Sequence, residues 1–280
     1  SQIAFPQPRK DTFEEYDDEA RGANGDEEFD HSLEINLFLA VDASDYAETV
    51  LLLLKGADPN VQNEEDGKTP LHLVSLRGDM VMLEFLIAHP YIDLNSIDDN
   101  GTTPIHNAMM HGQYDVVKIL LDKGADHSIP DNHRKTCLHI AAEQGSKVMC
   151  KLLVENFKAD ITAVTDQEQT VLHFATMGLH KDLVQFLLAE HAKTSGTDND
   201  DTLPFVNWQD INGETALHKC LSSTSGSKND QLELAKELVK HGADVAIEDS
   251  QGRSPLHDVA DDIKQLLLNE TRLHASKLRK

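Results

Sequence analysis

Apolar residues in this chain come in short clusters rather than long runs. The quartets Met82/Leu83/Leu86/Ile87, Val116/Val117/Leu120/Leu121, Met149/Cys150/Leu153/Val154 and Leu183/Val184/Leu187/Leu188 share one spacing, i, i+1, i+4, i+5. That spacing lines one face of an α-helix, so each quartet predicts a short amphipathic helix. Ten residues before each quartet stands a histidine, at the end of a four-residue segment opened by threonine. These segments are Thr69-Pro70-Leu71-His72, Thr103-Pro104-Ile105-His106, Thr136-Cys137-Leu138-His139 and Thr170-Val171-Leu172-His173, and two further copies follow at Thr215-Ala216-Leu217-His218 and Ser254-Pro255-Leu256-His257. The six histidines recur after 34, 33, 34, 45 and 39 residues.

Other columns keep the same register. Five residues before the histidine stand Gly67, Gly101, Gly213 and Gly252, with Arg134 and Glu168 as exceptions; six after it come Gly78, Gly112 and Gly145. Threonine can cap a helix by accepting an orphan N–H bond, and proline in the next position presets φ for the first helical residue. The endings Gly56-Ala57-Asp58, Gly124-Ala125-Asp126 and Gly242-Ala243-Asp244 supply helix stops. Each unit therefore reads as a tight turn, a short helix, a glycine-marked reversal, a second helix and a loop.

These units resemble ankyrin repeats, whose pattern is D-x-x-G-x-T-P-L-H-x-A-A-x-x-G followed by V-x-x-L-L-x-x-G-A-D. The resemblance covers roughly residues 33–268 and implies an all-α repeat solenoid with β-hairpin-like loops, about seven repeats including degenerate caps. It divides the chain into an acidic, disordered segment 1–30, a repeat domain 31–270 and a basic tail 271–280. Within the domain the expected order is a cap at 31–62, repeats at about 63–96, 97–129, 130–163, 164–206 and 207–246, and a cap at 247–270. The long spacings place insertions at 191–206, expected as a solvated loop, and at 222–230, between two helices. The resemblance also implies that the repeated histidine bridges neighbouring turns. The structural turn residues are then Thr69, His72, Thr103, His106, Thr136, His139, Thr170, His173, Thr215, His218 and His257.

Charge narrows the function. Against 25 Lys+Arg stand 49 Asp+Glu, a net charge of −24. Such a balance disfavours direct nucleic-acid contact and suits a basic partner. No apolar run approaches the roughly 20 residues of a membrane span, so no membrane insertion is expected. Three cysteines, Cys137, Cys150 and Cys220, without CxxC spacing predict free buried thiols in a reducing compartment, cytoplasmic or nuclear. The chain begins at Ser1 without a signal peptide, as a fragment of a longer protein would.

The 15 histidines raise the question of a metal. One per repeat at a fixed offset serves each turn, and no HExxH or paired Cys/His spacing occurs, so neither metal nor cofactor is expected. No phosphate loop or nucleophile elbow appears, so no catalytic residues are assigned and the chain is not expected to be an enzyme. Recognition is the expected role. In ankyrin proteins partners contact the turn tips and the exposed, concave ends of the first helices. Carried over by column, that surface comprises Lys68, Leu76, Arg77, Asn100, Thr102, Met110, His111, His133, Lys135, Glu143, Gln144, Gln169, Met177, Asn212 and Glu214. The leading expectation is a monomeric, non-catalytic scaffold that binds a protein or peptide. Its alternatives are a regulator like the inhibitors of NF-κB, masking a basic partner, and the targeting region of a larger enzyme or channel.

Overall fold

A computed structural model describes residues 32–194 and 204–278. The acidic segment 1–30 lies outside them, as does most of the 191–206 insertion. The chain divides into two compact units, residues 1–126 and 127–280, and each is described by itself.

The described residues of unit 1 form three helix pairs: α1 (Ser32–Asp42) with α2 (Tyr46–Leu54), α3 (Pro70–Arg77) with α4 (Met80–Ile87), and α5 (Pro104–Met110) with α6 (Tyr114–Asp122). Unit 2 opens with α7 (Cys137–Glu143) and α8 (Lys147–Lys151), the latter continuing through a π-helical turn, Leu152–Asn156. Then come α9 (Val171–Met177) with α10 (Lys181–Thr194), a 3₁₀ turn Phe205–Asn207, α11 (Ala216–Ser222) with α12 (Lys228–Lys240), and α13 (Asp261–Leu278). Among the described residues no strand forms; the loops carry only the isolated bridges Val164–Thr170 and Gln209–Thr215.

The apolar quartets are the floor of the core. Met82, Leu83, Leu86, Val116, Val117, Leu120, Met149, Cys150, Leu153, Leu183, Val184 and Leu187 are all buried. The first helices all start at the residue after the threonine, whether it is Pro70, Pro104, Cys137, Val171 or Ala216. Proline is thus dispensable, because the threonine–histidine pair fixes the turn without it.

The histidines of these pairs are buried, as are the threonines other than the half-buried Thr136. In unit 1, Thr69 N–H donates to His72 Nδ1 (3.0 Å), and His72 Nε2–H donates to the carbonyl of Thr102 (2.9 Å). In unit 2, His139, His173 and His218 take the same N–H bond from Thr136, Thr170 and Thr215. Their Nε2 atoms reach the carbonyls of Ala163, Glu214 and Arg253, all at 3.1 Å. Acceptance at Nδ1 and donation at Nε2 select the neutral imidazole. Burial pushes the pKa of His72 and His173 down, and that of His139 to about 4.

Backbone bonds join successive turn tips inside each unit. Asp99 N–H donates to Asp66 in unit 1; Asp166 donates to His133, Ile211 to Gln167 and Ser250 to Asn212 in unit 2. Asparagine side chains add a second tie, Asn60 to Tyr91 and Asp93, and Asn207 to Gly242 and Asp244.

Several expectations change. His257 is exposed, and Pro255–Val259 forms turns rather than a first helix, so no following turn receives its imidazole. The final helix extends past 270 into the basic tail, as far as Leu278, as the tail's composition allows. The 191–206 insertion is not a solvated loop at its ends. Helix α10 continues to Thr194, Phe205, Val206 and Asn207 are buried, and the rings of His191 and Phe205 stack at 4.6 Å. In the 222–230 insertion, Ser227 caps α12, so the last three residues are helical.

The glycine column shows why it is glycine. Gly67, Gly101, Gly213 and Gly252 have φ between +69° and +73°, and the exceptions Arg134 (+59°) and Glu168 (+57°) hold the same left-handed conformation. A side chain there costs about 1–2 kcal/mol, offset in part by the roughly 0.5–1 kcal/mol of unfolded-state entropy that glycine brings. Arg134→Gly should therefore raise stability by up to about 1 kcal/mol in chemical denaturation. Gly213→Ala should lower it by about 2 kcal/mol, because a Cβ there would also lie 2.7 Å from the Ser250 nitrogen.

The neutral histidines give a pH dependence with a definite sign. The folded pKa of His72, His139 and His173 lies below the unfolded value of 6.5, so the native state binds fewer protons and stability is lost as pH falls below 6.5. For His139 alone the loss between pH 7 and pH 5 is on the order of 2 kcal/mol. Urea midpoints should fall across that interval, above the carboxylate range; a flat profile would contradict neutral buried imidazoles.

Candidate partner-binding surface

The ends of the first helices and the turn tips lie at equivalent positions in every repeat, but the expected contact residues do not share one environment. In unit 1, Met110 is 40% exposed at the end of α5, Leu76 is half-buried on α3, and Asn100 is exposed at its tip. His111 is exposed, with Nδ1–H donating to the Asn107 carbonyl at 2.9 Å. Lys68 pairs with Asp66 beside it. Arg77 is exposed, and its guanidinium donates to the carboxylate and the main-chain carbonyl of Asp42, tying α3 to the end of α1.

Thr102 is a correction. Its side chain is buried, its hydroxyl donates to Asp98 Oδ2 (2.7 Å) and its N–H to Asp98 Oδ1 (2.8 Å). Asp99 and Asn100 are exposed at this tip, and the chain is buried again from Gly101 onward.

In unit 2, Met177 is 42% exposed at the end of α9, in the same column as Met110, and Glu143 occupies that column on α7. Gln144 and Asn212 are exposed. His133 faces Asp166 across 3.2 Å. Lys135 lies 3.1 Å from Glu143 and 4.8 Å above the ring of Phe174. Gln169 Nε2 donates to Asp210 at 3.4 Å, and Glu214 pairs with Lys219.

Sequence reasoning missed Phe174 and Lys219, both one residue after the repeated histidine. That column reads Leu73, Asn107, Ile140, Phe174 and Lys219, and its variability beside an invariant neighbour was the available signal. Lys219 is mostly buried, 2.7 Å from the fully buried Asp210. Burial opposes charge on Asp210, yet Lys219 and the N–H groups of Glu214 and Asn212 outweigh it and hold its pKa below the usual carboxylate range. Lys219 is likewise raised against its own burial.

Cys137, Cys150 and Cys220 are free and buried, and burial pushes the thiols of Cys150 and Cys220 up to about 12. Such thiols are poor nucleophiles. Among the described residues no group of three or more histidine, cysteine or acidic side chains could hold a metal ion. Nor is any helix long and apolar enough to cross a membrane.

Paired helices, threonine–histidine turns and laddered tips define a repeat-built interaction surface. The ankyrin-repeat models match residues 37–131, 127–201 and 212–250, and the chain belongs to the ankyrin-repeat family. Ankyrin repeats are protein–protein interaction modules, generally without catalytic activity. The chain is 31% identical to mouse inversin over 191 residues, 68% of this chain and 16% of inversin. It is 28% identical over 252 residues to the human transient receptor potential cation channel subfamily A member 1, covering 79% of this chain and 22% of the channel. With human B-cell lymphoma 3 protein it shares 26% identity over 221 residues, 69% of this chain and 47% of that protein.

The Lys219–Asp210 pair yields a prediction. Lys219→Ala strands a buried carboxylate that keeps only its backbone bonds and the long Gln169 contact, and should lower unfolding free energy by about 2–3 kcal/mol. Lys219→Ala combined with Asp210→Asn should recover part of that loss; a strictly additive double variant would show that the pair is not coupled.

Proposed function

We propose that this chain is a non-enzymatic docking module that holds a protein or peptide partner against the ends of its first helices and its turn tips. The observation that carries the reading is the recurrence of a flexible, exposed thioether at one repeat column, Met110 in unit 1 and Met177 in unit 2. Backbone bonds join successive turn tips inside each unit, and Asn100 and Asn212 stand exposed on them. Methionine adapts to varied apolar shapes, and partly exposed aliphatic positions on a rigid frame are suited to recognition. The residues that take part are Leu76, Asn100, Met110, His111, His133, Gln144, Met177 and Asn212, with Lys68, Lys135, Glu143, Gln169 and Glu214 contributing as preset ion-pair or hydrogen-bonded groups.

The net charge of −24 favours a basic partner through long-range attraction. Free, buried thiols fit a reducing compartment, cytoplasmic or nuclear. In the absence of a partner the chain is read as monomeric. The same charge supports a second reading, a regulator like the inhibitors of NF-κB that covers a basic nucleic-acid-binding surface; competition with DNA for a candidate factor separates the two. The chain spans 16% of inversin and 22% of the human channel, which supports a third: a partner-holding region within a longer protein.

The test compares Met110→Glu and Met177→Glu with the parent chain. A partner captured by the parent and then purified should bind each variant at least tenfold more weakly in calorimetry, while Tm shifts by no more than about 2 °C. Unchanged affinity in both would overturn the reading. Arg77→Glu is not an equivalent test, because it breaks the tie to Asp42.

A further inference from the structure

Helix α1 is apolar on two sides. Leu37, Ala40 and Val41 are buried against unit 1, while Ile35 and Leu39 are each 57% exposed, with Phe38 between them. Ile35, Phe38, Leu39 and Asp42 follow the i, i+3, i+4, i+7 spacing of one helix face, about 10 Å long. That face forms one wall of an open groove of about 570 Å³, whose other wall is the first turn tip, Val61 to Glu65. Isolated exposed aliphatics are ordinary, but three on one helix face lining one cavity mark a contact surface.

The rim has one sign. Glu34, Asp42, Glu64 and Glu65 line the groove, and no lysine, arginine or histidine is among its lining residues. Asp42 is engaged by Arg77, and Glu64 and Glu65 stand exposed. The chain that precedes α1 carries Asp26, Glu27, Glu28 and Asp30, so like charge makes it a poor occupant.

We infer that this groove is a docking site for a short basic amphipathic segment of a partner protein, with aliphatic side chains against Ile35, Phe38 and Leu39 and lysine or arginine facing Glu34, Glu64 and Glu65. The inference rests on the proposed docking function and deepens it, naming the partner chemistry that the first helix and first turn tip of unit 1 would take. Apolar contact supplies affinity, and the acidic rim supplies orientation and rate.

The full chain is titrated against three fluorescein-labelled 14-residue peptides at about 150 mM salt, where long-range attraction is screened. One carries leucines on a single helical face and lysines elsewhere; the second replaces leucine by serine; the third replaces lysine by glutamate. The leucine–lysine peptide should bind at least tenfold more tightly than either comparator. Leu39→Glu and the double variant Glu64→Lys/Glu65→Lys should each weaken it at least tenfold. Glu84→Lys/Asp122→Lys, an equal charge change elsewhere on unit 1, should alter it less than twofold. Leu39 is exposed, so its variant should keep the parent circular dichroism and Tm.

Equal binding of the serine peptide would mean nonspecific attraction to an acidic chain and would overturn the inference, as would unchanged binding by Leu39→Glu. If no peptide binds and Leu39→Glu converts a dimer to a monomer in sedimentation, the groove belongs to a second copy and the inference falls. Binding that appears only after residues 1–31 are removed would equally overturn it, in favour of the chain's own preceding segment. A captured partner that is lost with Met177→Glu but kept with Leu39→Glu would remove this inference while leaving the general docking function standing.

Discussion

The structure depends on an uncharged imidazole placed where two turns meet. A repeat of about 33 residues cannot bury its own apolar face, so its stability comes from its neighbour. The histidine makes that dependence specific. Its Nδ1 satisfies the threonine N–H that would otherwise be an orphan at the helix start, and its Nε2–H satisfies a carbonyl in the next turn. One side chain thus closes a local cap and an inter-repeat bond together, and both need the ring neutral. Replacing proline at the neighbouring position leaves the helix start unmoved, as α7, α9 and α11 show.

Much of this was legible in the sequence because the repeat supplies its own comparison set. Each column is sampled several times within one chain, so Thr, His and the i, i+1, i+4, i+5 quartets stand out from substitutable positions without any second sequence. The same logic read Arg134 and Glu168 as exceptions, yet their backbone matches the glycines at that column. Residue identity there was a poorer guide than register. Where repetition stopped, legibility stopped with it. The last histidine has its motif but no following turn, and is exposed. The 191–206 segment has no counterpart, and composition rich in polar residues concealed that Phe205 and Val206 return to the core.

The recognition surface was less legible than the fold. A column states where a side chain leaves the backbone, not what it meets. Thr102 and Asn100 lie two residues apart at one tip, yet one is buried on Asp98 and the other exposed. Arg77 was placed correctly at a helix end, but its guanidinium found Asp42, a residue from the first, motif-poor repeat. The groove beside α1 was hidden for the same reason. A cap was expected there, and a cap's helix is expected to turn its polar side outward, whereas Ile35 and Leu39 do the opposite. The buried Lys219–Asp210 pair lies in a column whose other members are Leu73, Asn107, Ile140 and Phe174, so nothing in the repeat average announced a charge.

The π-helical turn at Leu152–Asn156 has a wider consequence. The repeat containing it holds one residue more between His139 and Ala159 than its neighbour holds between His106 and Ala125. Widening a single helical turn absorbs the surplus, while Met149, Cys150 and Leu153 stay in the core and Ala159 still closes onto the Leu153 carbonyl. In this repeat the second helix therefore takes up the extra length. A one-residue gain is thus absorbed before the following turn, and Thr170 and His173 keep the same cap as the other repeats.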